Sequence, residues 1–396
     1  EIMLKKLPQL QEETVPLASA KDRVLARDIK AREDQPAKPL SSRDGYTFKA
    51  SPDGQQLLLT IAGESRAGGS PQEELAEGTA TRIFTGAPLP LGADTVLMQE
   101  DTVTEDGKLV IEAGYPSGKY VRTVGSDCKC GDLMLKAGTT IQPAHLALLA
   151  SLGVIHIPVT RKPTVGFLVN GDEIVSPGTF PCPAGSIRNS NKIAVENLII
   201  EAGASPIYLG SIGDSQEALR KVFAQAPPVD ILLTIGGASV GDYDYVLQTA
   251  IDEGYEIAFS RIALKPGKPT IFGIKGNKRL IGLPGNPVSC IVVFQLLVRP
   301  LLRALAGANE FHLASSKAVL LADEKKEPLR RYFLPGQLKV TEEGKMAAIP
   351  SRFRESSALG SLAEATVLIV LPEGVDFIKA GKEVIVLHLD RKEVPL

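Results

Sequence analysis

The chain has 396 residues, which at roughly 150 residues per domain predicts two to four domains and several buried cores. Hydrophobic residues make up 44% and charged residues 23%, a balance that excludes a disordered or fibrous chain. With 44 basic against 46 acidic side chains the net charge is -2, so there is no basic excess of the kind general nucleic-acid binding requires.

Residues 1–37 open with a short amphipathic segment, and the apolar periodicity of 18–25 predicts a helix. Residues 28–39 are polar, contain two prolines and read as a linker. Between 40 and 130, short apolar runs at 57–61, 95–99 and 109–112 alternate with glycine turns, which predicts a small β-rich domain with a weak helical patch at 73–77. Pro143 opens a helix over 144–152 that Gly153 closes, and a strand follows at 154–159. From 161 to 308, strands at 164–169, 207–209, 230–235 and 279–283 alternate with helices at 190–201, 216–226, 245–254 and 287–297. The 230–235 run is almost wholly apolar, as a strand covered on both faces is, so this region is a three-layer α/β domain with a largely parallel sheet. Residues 309–396 are strand-dominated, at 317–322, 330–340, 365–371 and 383–389, with one short helix over 356–362; they predict a β-barrel-like or open β domain.

Four cysteines are too few for a disulfide scaffold of this size and imply reduced thiols in the cytoplasm. His145, His156, His312 and His388 are dispersed and match no zinc pattern. The opening residues EIMLKKLPQL lack a long apolar run, and no stretch offers 18 consecutive apolar residues, so no membrane span is expected.

In open α/β sheets, ligands gather beyond the carboxyl ends of the strands, and three segments sit there. The buried 230–235 strand runs into Gly236-Gly237-Ala238-Ser239-Val240-Gly241-Asp242-Tyr243-Asp244. Its glycines allow close approach by a ligand, its N–H groups suit a phosphate or oxyanion, and Asp242 and Asp244 suit a hard cation such as Mg²⁺. It is neither a P-loop nor a dinucleotide fingerprint, and a glycine turn with solvated acids is the plain alternative. Next, Leu283-Pro284-Gly285-Asn286-Pro287-Val288-Ser289 reads as strand, tight turn and helix start. The amides of that first helical turn are expected to face the cleft and suit an anion, with Asn286 a possible N-cap. The third segment, Asn170-Gly171-Asp172-Glu173, places two acids after a strand, where they suit Mg²⁺ or an ordinary surface turn. Arg261 and Lys265 share one face if 257–264 is a strand, and with Lys268 they suit a pyrophosphate or oxyanion; a solvated basic turn is the alternative. Arg43-Asp44-Gly45-Tyr46, the Arg82 to Pro90 turn, Arg122 with Asp127, and the cationic loop 351–357 are loops rich in functional groups.

Taken in order, these segments resemble the molybdopterin molybdenumtransferase family, which includes the E domain of gephyrin. The likeness spans nearly the whole chain. It rests on Asp44-Gly45-Tyr46, Thr85-Gly86-Ala87-Pro88-Leu89-Pro90, Gly171-Asp172-Glu173, Asn189-Ser190-Asn191, the 236–244 run, Lys265-Pro266-Gly267-Lys268-Pro269 and Leu283 to Ser289. The resemblance implies an N-terminal linking domain over 1–39 plus 131–160, an inserted β-rich domain over 40–130, an α/β molybdopterin-binding domain over 161–308 and a C-terminal β domain over 309–396. It also implies a homodimer and a reaction in which adenylylated molybdopterin and molybdate yield molybdenum cofactor and AMP with Mg²⁺. By the same likeness, Asp44, Thr85 and Asp127 match polar positions that approach the partner's cleft. Glu173, Asp214 and Asp244 match acids tied to cation and substrate handling, with Asp242 beside them. Arg261, Lys265 and Lys268 match basic positions at molybdate or phosphate, and Ser356 or Ser357 matches the serine-bearing loop of the last domain. Gly236, Gly237, Ser239, Pro284, Gly285 and Asn286 complete the anion-binding set.

The chemistry agrees with this assignment. Molybdate and pyrophosphate are anions that loop amides and lysines stabilise, and the acids would repel them without a divalent cation. Arg43, Asn170 and Arg261 depart from the usual Met, Thr and Lys of the family. Two other readings stay open: an enzyme resembling molybdopterin adenylyltransferase, and a non-enzymatic dimeric scaffold that binds a peptide. Partners implied beyond a second copy are molybdopterin adenylyltransferase and apo-molybdoenzymes.

Overall fold

The computed structural model describes residues 2–69, 74–237, 245–353 and 355–389. The chain divides into two compact units, one of Glu1–Arg27, Ala137–Leu146 and Ile155–Leu396, the other of Asp28–Lys136 and Ala147–Val154.

The larger unit is built on a six-stranded sheet. Its strands run in the order Ser205–Ile212, Thr164–Asn170, Ile231–Ile235, Lys278–Leu283, Ile271–Lys275 and Glu256–Phe259. The first four are parallel, and the last two fold back antiparallel. Alternation along each buried strand supplies two apolar faces. Val165, Phe167, Leu233 and Ile281 pack with Val195, Ile199, Phe294 and Leu301 on one side. Leu168, Leu232 and Leu280 pack with Leu219, Val246 and Ala250 on the other. Helices on both faces make the three layers expected from the apolar central strand. Asn189 caps the helix Ser190–Glu201 by accepting from the Lys192 amide at 2.9 Å. The long helix Pro287–Leu305 includes a π-helical turn, Phe294–Val298. It is long and apolar enough to cross a membrane, but its apolar stretch is 67% buried within this domain, as a core helix is.

The C-terminal strands close. Arg331–Val340, Met346–Pro350, Ser315–Leu320, Glu383–His388 and Val367–Leu371 are hydrogen-bonded in that order, and the last pairs again with Arg331–Val340. Of the two forms expected, this is the barrel, and its core is Leu320, Leu338, Val367, Ile369 and Val386. Closure leaves no free edge in the ring to recruit another chain. Leu264–Lys265, from the α/β domain, pairs with Arg331 and Tyr332 at the rim.

In the smaller unit, a six-stranded sheet runs Thr95–Met98, Gly45–Phe48, Thr79–Ile83, Leu57–Ser65, Lys108–Ile111 and Val103–Glu105. Gly45 sits against its neighbour so closely that a Cβ there would lie 1.8 Å from the Leu97 carbonyl oxygen. Only glycine fits that pairing.

Several expectations need correction. Residues 18–25 are not helical: Leu17–Ser19 forms a single 3₁₀ turn, and Val24 and Leu25 make β-bridges to Thr140 and Val159. Pairing of Glu12–Pro16 with His156–Thr160 draws the chain into a ribbon instead. The supposed linker carries a strand, Ile29–Lys30, paired with Leu133–Leu135. Residues 74–77 are not helical, and Glu73 lies outside the described residues.

Candidate active site

The strand Thr164–Asn170 is followed in the chain by its neighbour on one side, Ser205–Ile212, and later by its neighbour on the other, Ile231–Ile235. The order therefore reverses at the carboxyl ends of Thr164–Asn170 and Ile231–Ile235, where α/β folds hold their ligands. A cavity of about 580 Å³ opens there. Its lining includes Glu173, Asp214, Gly236, Gly237, Pro284, Gly285, Asn286 and Ser357, all residues singled out from the sequence. Gly171, at φ +144°, leaves room for the Glu173 carboxylate, since a Cβ would come within 2.5 Å of it. The Asp214 amide donates to the Asp172 carboxylate at 3.3 Å, fastening the two acidic turns to each other.

Two asparagines in this cavity were not in the candidate set. Asn170 and Asn191 are 8% and 7% exposed, and among the described residues the side-chain oxygen of each lacks a hydrogen-bond partner. The Asn191 amide donates to the Gly285 carbonyl at 2.7 Å, which leaves its oxygen as the open group. Asn170 packs under the glycine turn, where a Cβ on Gly237 would come within 2.8 Å of its Nδ2. An unmet buried acceptor costs about 1–3 kcal/mol, and both oxygens are closed off by the surrounding protein.

A second cavity, of about 440 Å³, lies between the α/β domain and the barrel. Lys265, Lys268 and Arg330 line it, with Ser289, Ser356 and Ser361 and the rings of Phe333 and Phe353. Lys265 rests its ammonium 4.9 Å from the Tyr332 ring centroid. The nearby Glu327 carboxyl is held below its ordinary value by a hydrogen bond from Arg330, and the charges of Arg330, Lys265 and Lys268 add to that effect. Ser361 is 2% exposed and its hydroxyl has no partner among the described residues. Nothing in the sequence marked Ser361 or Arg330, because what distinguishes them is burial and placement rather than motif. Asn191 and Ser289 did lie inside quoted motifs.

One wall separates the cavities. The Val288 amide, in the first turn of the helix from Pro287, donates to the Ser356 carbonyl at 3.0 Å. The Asn286 side chain donates to the Ser356 hydroxyl at 3.1 Å. Ser356 faces the basic cavity, Ser357 the acidic one, and Pro269 borders both. This corrects two expectations. The Val288 amide is already bonded within the protein, and Asn286 makes no cap hydrogen bond but ties down the barrel loop. Arg261 is a third correction: it lines neither cavity. The strand ends at Phe259, and Ile262 turns back to bond Lys268, so Arg261 and Lys265 share no strand face. Ser239, Asp242 and Asp244 lie outside the described residues.

Within the smaller unit, the Asp44 carboxylate accepts from the Thr85 amide at 2.7 Å and from the Thr85 hydroxyl at 2.8 Å. Those two bonds hold its carboxyl below the ordinary range, and the Arg82 charge adds to them. Asp127 is bonded to Arg122.

Among the described residues, no three His, Cys, Asp or Glu side chains cluster as a metal site. Glu173 and Asp214 nevertheless offer hard oxygen donors on one cavity. That donor set fits Mg²⁺, which commonly takes one or two carboxylates and completes its shell with water and substrate phosphate.

A doubly wound sheet with an acidic cavity at its switch point, and a basic cavity between sheet and barrel, defines a multidomain α/β protein whose cavities offer groups of opposite charge. Comparison with known proteins is more specific. Residues 1–153 match the MoeA N-terminal region (domain I and II), 166–304 a probable molybdopterin binding domain, and 317–389 the MoeA C-terminal region (domain IV). The chain is 35% identical to a molybdopterin molybdenumtransferase of Haemophilus influenzae, over 96% of this chain and 95% of the relative. It is 35% identical to one of Bacillus subtilis, over 96% and 90%. Among solved structures, it is similar to a molybdopterin biosynthesis MoeA protein of Pyrococcus horikoshii, with 32% identity, TM-score 0.81 and coverage of 98% of this chain and 96% of that one. The chain belongs to the molybdopterin molybdenumtransferase family.

Proposed function

We propose that this enzyme inserts molybdate into adenylylated molybdopterin, forming molybdenum cofactor and releasing AMP. Membership of the family supports its place in molybdenum cofactor biosynthesis. The observation that carries the finer reading is the pair of cavities with a shared wall, one edged by acids and one by lysines. Two anions that must meet are held from opposite sides, so their mutual repulsion is met by separate groups.

In this reading Lys265 and Lys268 hold the tetrahedral oxyanion through charge-assisted hydrogen bonds. Ser289 and Ser361 direct hydroxyls to it. Asn170 and Asn191 line the cavity that takes the organic substrate and help set its shape. Gly236 and Gly237 let the protein backbone come close to that substrate, and Ser356 and Asn286 hold the wall at which the reactants meet. Glu173 and Asp214 would hold Mg²⁺, with Asp242 and Asp244 as further candidate ligands. Bound there, the cation would neutralise charge on the phosphate that leaves with AMP. The protein's share is then positioning and fixed electrostatics, and no covalent enzyme intermediate is needed. The enzyme acts in this reading as a cytoplasmic homodimer, with Asp44, Thr85 and Asp127 serving the partner's cleft. Molybdopterin adenylyltransferase supplies the substrate and apo-molybdoenzymes receive the product.

The test is AMP release from adenylylated molybdopterin with Mg²⁺, with and without molybdate. Release that depends on molybdate and yields transferable cofactor is expected. In K268Q, losing one charge-assisted contact of about 1.5–3 kcal/mol should raise the molybdate concentration for half-maximal release about 10-fold or more. Tight substrate binding without release under molybdate would overturn the proposal in favour of a carrier or scaffold.

A further inference from the structure

Arg82 lines neither cavity described above and is in no set of residues expected to touch substrate, yet it is tied at several points beside the Asp44–Thr85 pair. It lies on the strand Thr79–Ile83, directly opposite Tyr46 on the neighbouring strand. Its guanidinium lies 5.1 Å from the ring centroid of Tyr46 and 4.9 Å from that of Phe84. One terminal nitrogen donates to the Gly45 carbonyl at 3.1 Å, and the other is bonded to the Gln99 side chain. The Gln99 amide in turn donates to the Asp44 carbonyl at 3.0 Å. One rigid cation is therefore fastened to the residue after Asp44, to the residue that holds the Asp44 backbone, and to the residue before Thr85. A planar fork with five donors can do this, and a lysine cannot.

We propose that Arg82 is a positioning residue of the transfer reaction, fixing where Asp44 and Thr85 present their oxygens by clamping the three segments that carry them. The inference rests on the reading above that Asp44 serves the reaction. Arg82 touches neither substrate nor metal in this scheme. Its effect passes through the Asp44 backbone and the Phe84–Thr85 turn. Misplacement of a working group by about an ångström is enough to cost up to about 100-fold in rate.

The experiment measures molybdate-dependent AMP release in R82Q, R82K, D44N and the R82Q/D44N double variant, with thermal unfolding of each. R82Q is expected to lower kcat about 10- to 100-fold while leaving half-saturation by molybdate unchanged. R82K, which keeps the charge but not the fork, is expected to retain most of that loss. In the D44N background, R82Q should add less than its full loss, since the part that acts through Asp44 is already gone and groups acting as one unit are not additive. Normal kcat in R82Q, full activity in R82K, or a loss that adds fully to that of D44N would each overturn the proposal. Should R82Q fail to fold, R82K decides alone. Normal turnover in D44N by itself would remove Asp44 from the reaction and the role of Arg82 with it, an outcome visible without any Arg82 variant.

Discussion

At the scale of single residues, the clearest electrostatic arrangement lies away from the cavities. Arg161 donates to both oxygens of Asp230 at 2.8 Å, and Thr164 adds its amide at 2.7 Å and its hydroxyl at 2.9 Å. Burial alone would raise the Asp230 carboxyl, but the bonds from Arg161 and Thr164 outweigh it and hold the group below its ordinary 3.8. A folded-state value below the unfolded one means stability that is present in full above about pH 4 and lost as pH falls through the folded value. Asp230→Asn should therefore cost about 1.5–3 kcal/mol at pH 7. The gap between variant and parent in urea denaturation should narrow as pH drops below 4. Residues of this kind show how far a sequence can be read. Lys265 and Lys268 were legible because a short turn with two lysines keeps them close under almost any fold. Ser361 was not, because an unpaired buried oxygen is a property of what surrounds it. The strand face expected to be shared by Arg261 and Lys265 is absent because the assumed strand ends at Phe259, just after its hairpin partner shifts register.

At the scale of elements, caps and breakers carried most of the information. Pro143 opens its helix and Gly153 follows Pro143–Ser151 at positive φ, as read from the sequence, whereas Asn286 makes no cap bond. These signals are local, so they survive without knowledge of the fold. The 18–25 run failed for the opposite reason: its apolar spacing suits a helix, but its backbone bridges to residues more than a hundred positions away. The short strands Met346–Pro350 and Ile271–Lys275 went unread, each lacking a distinct pattern outside its sheet. Strand pairing also sets a sharp test. Gly45→Ala would drive a methyl group into the Leu97 carbonyl, and overpacking of this kind costs about 1–3 kcal/mol or more. A lowered thermal midpoint, with loss of the Thr85–Asp44 contact, is the expected result, and an unchanged midpoint would contradict the pairing register.

At the scale of the whole molecule, the order of elements made the α/β domain and the barrel readable, while closure of the barrel depended on a pairing between strands that are not neighbours in the chain. The four cysteines report on integrity. Cys130 is exposed, Cys182 is half-buried, and Cys128 and Cys290 are buried, with burial pushing the Cys290 thiol up to about 12. A colorimetric thiol reagent at pH 8 should titrate Cys130 quickly and Cys182 more slowly. Cys290 should react only on unfolding, so the rate of the last thiol measures global opening.

The wall at Ser356 has a thermodynamic side. A single segment is pinned by Asn286 and Val288 and faces one cavity with Ser356 and the other with Ser357. Under the proposed function, a displacement of that segment on loading one cavity would couple the two, and linkage would make the coupling reciprocal: whatever factor the oxyanion imposed on affinity for the organic substrate, the organic substrate would return to the oxyanion.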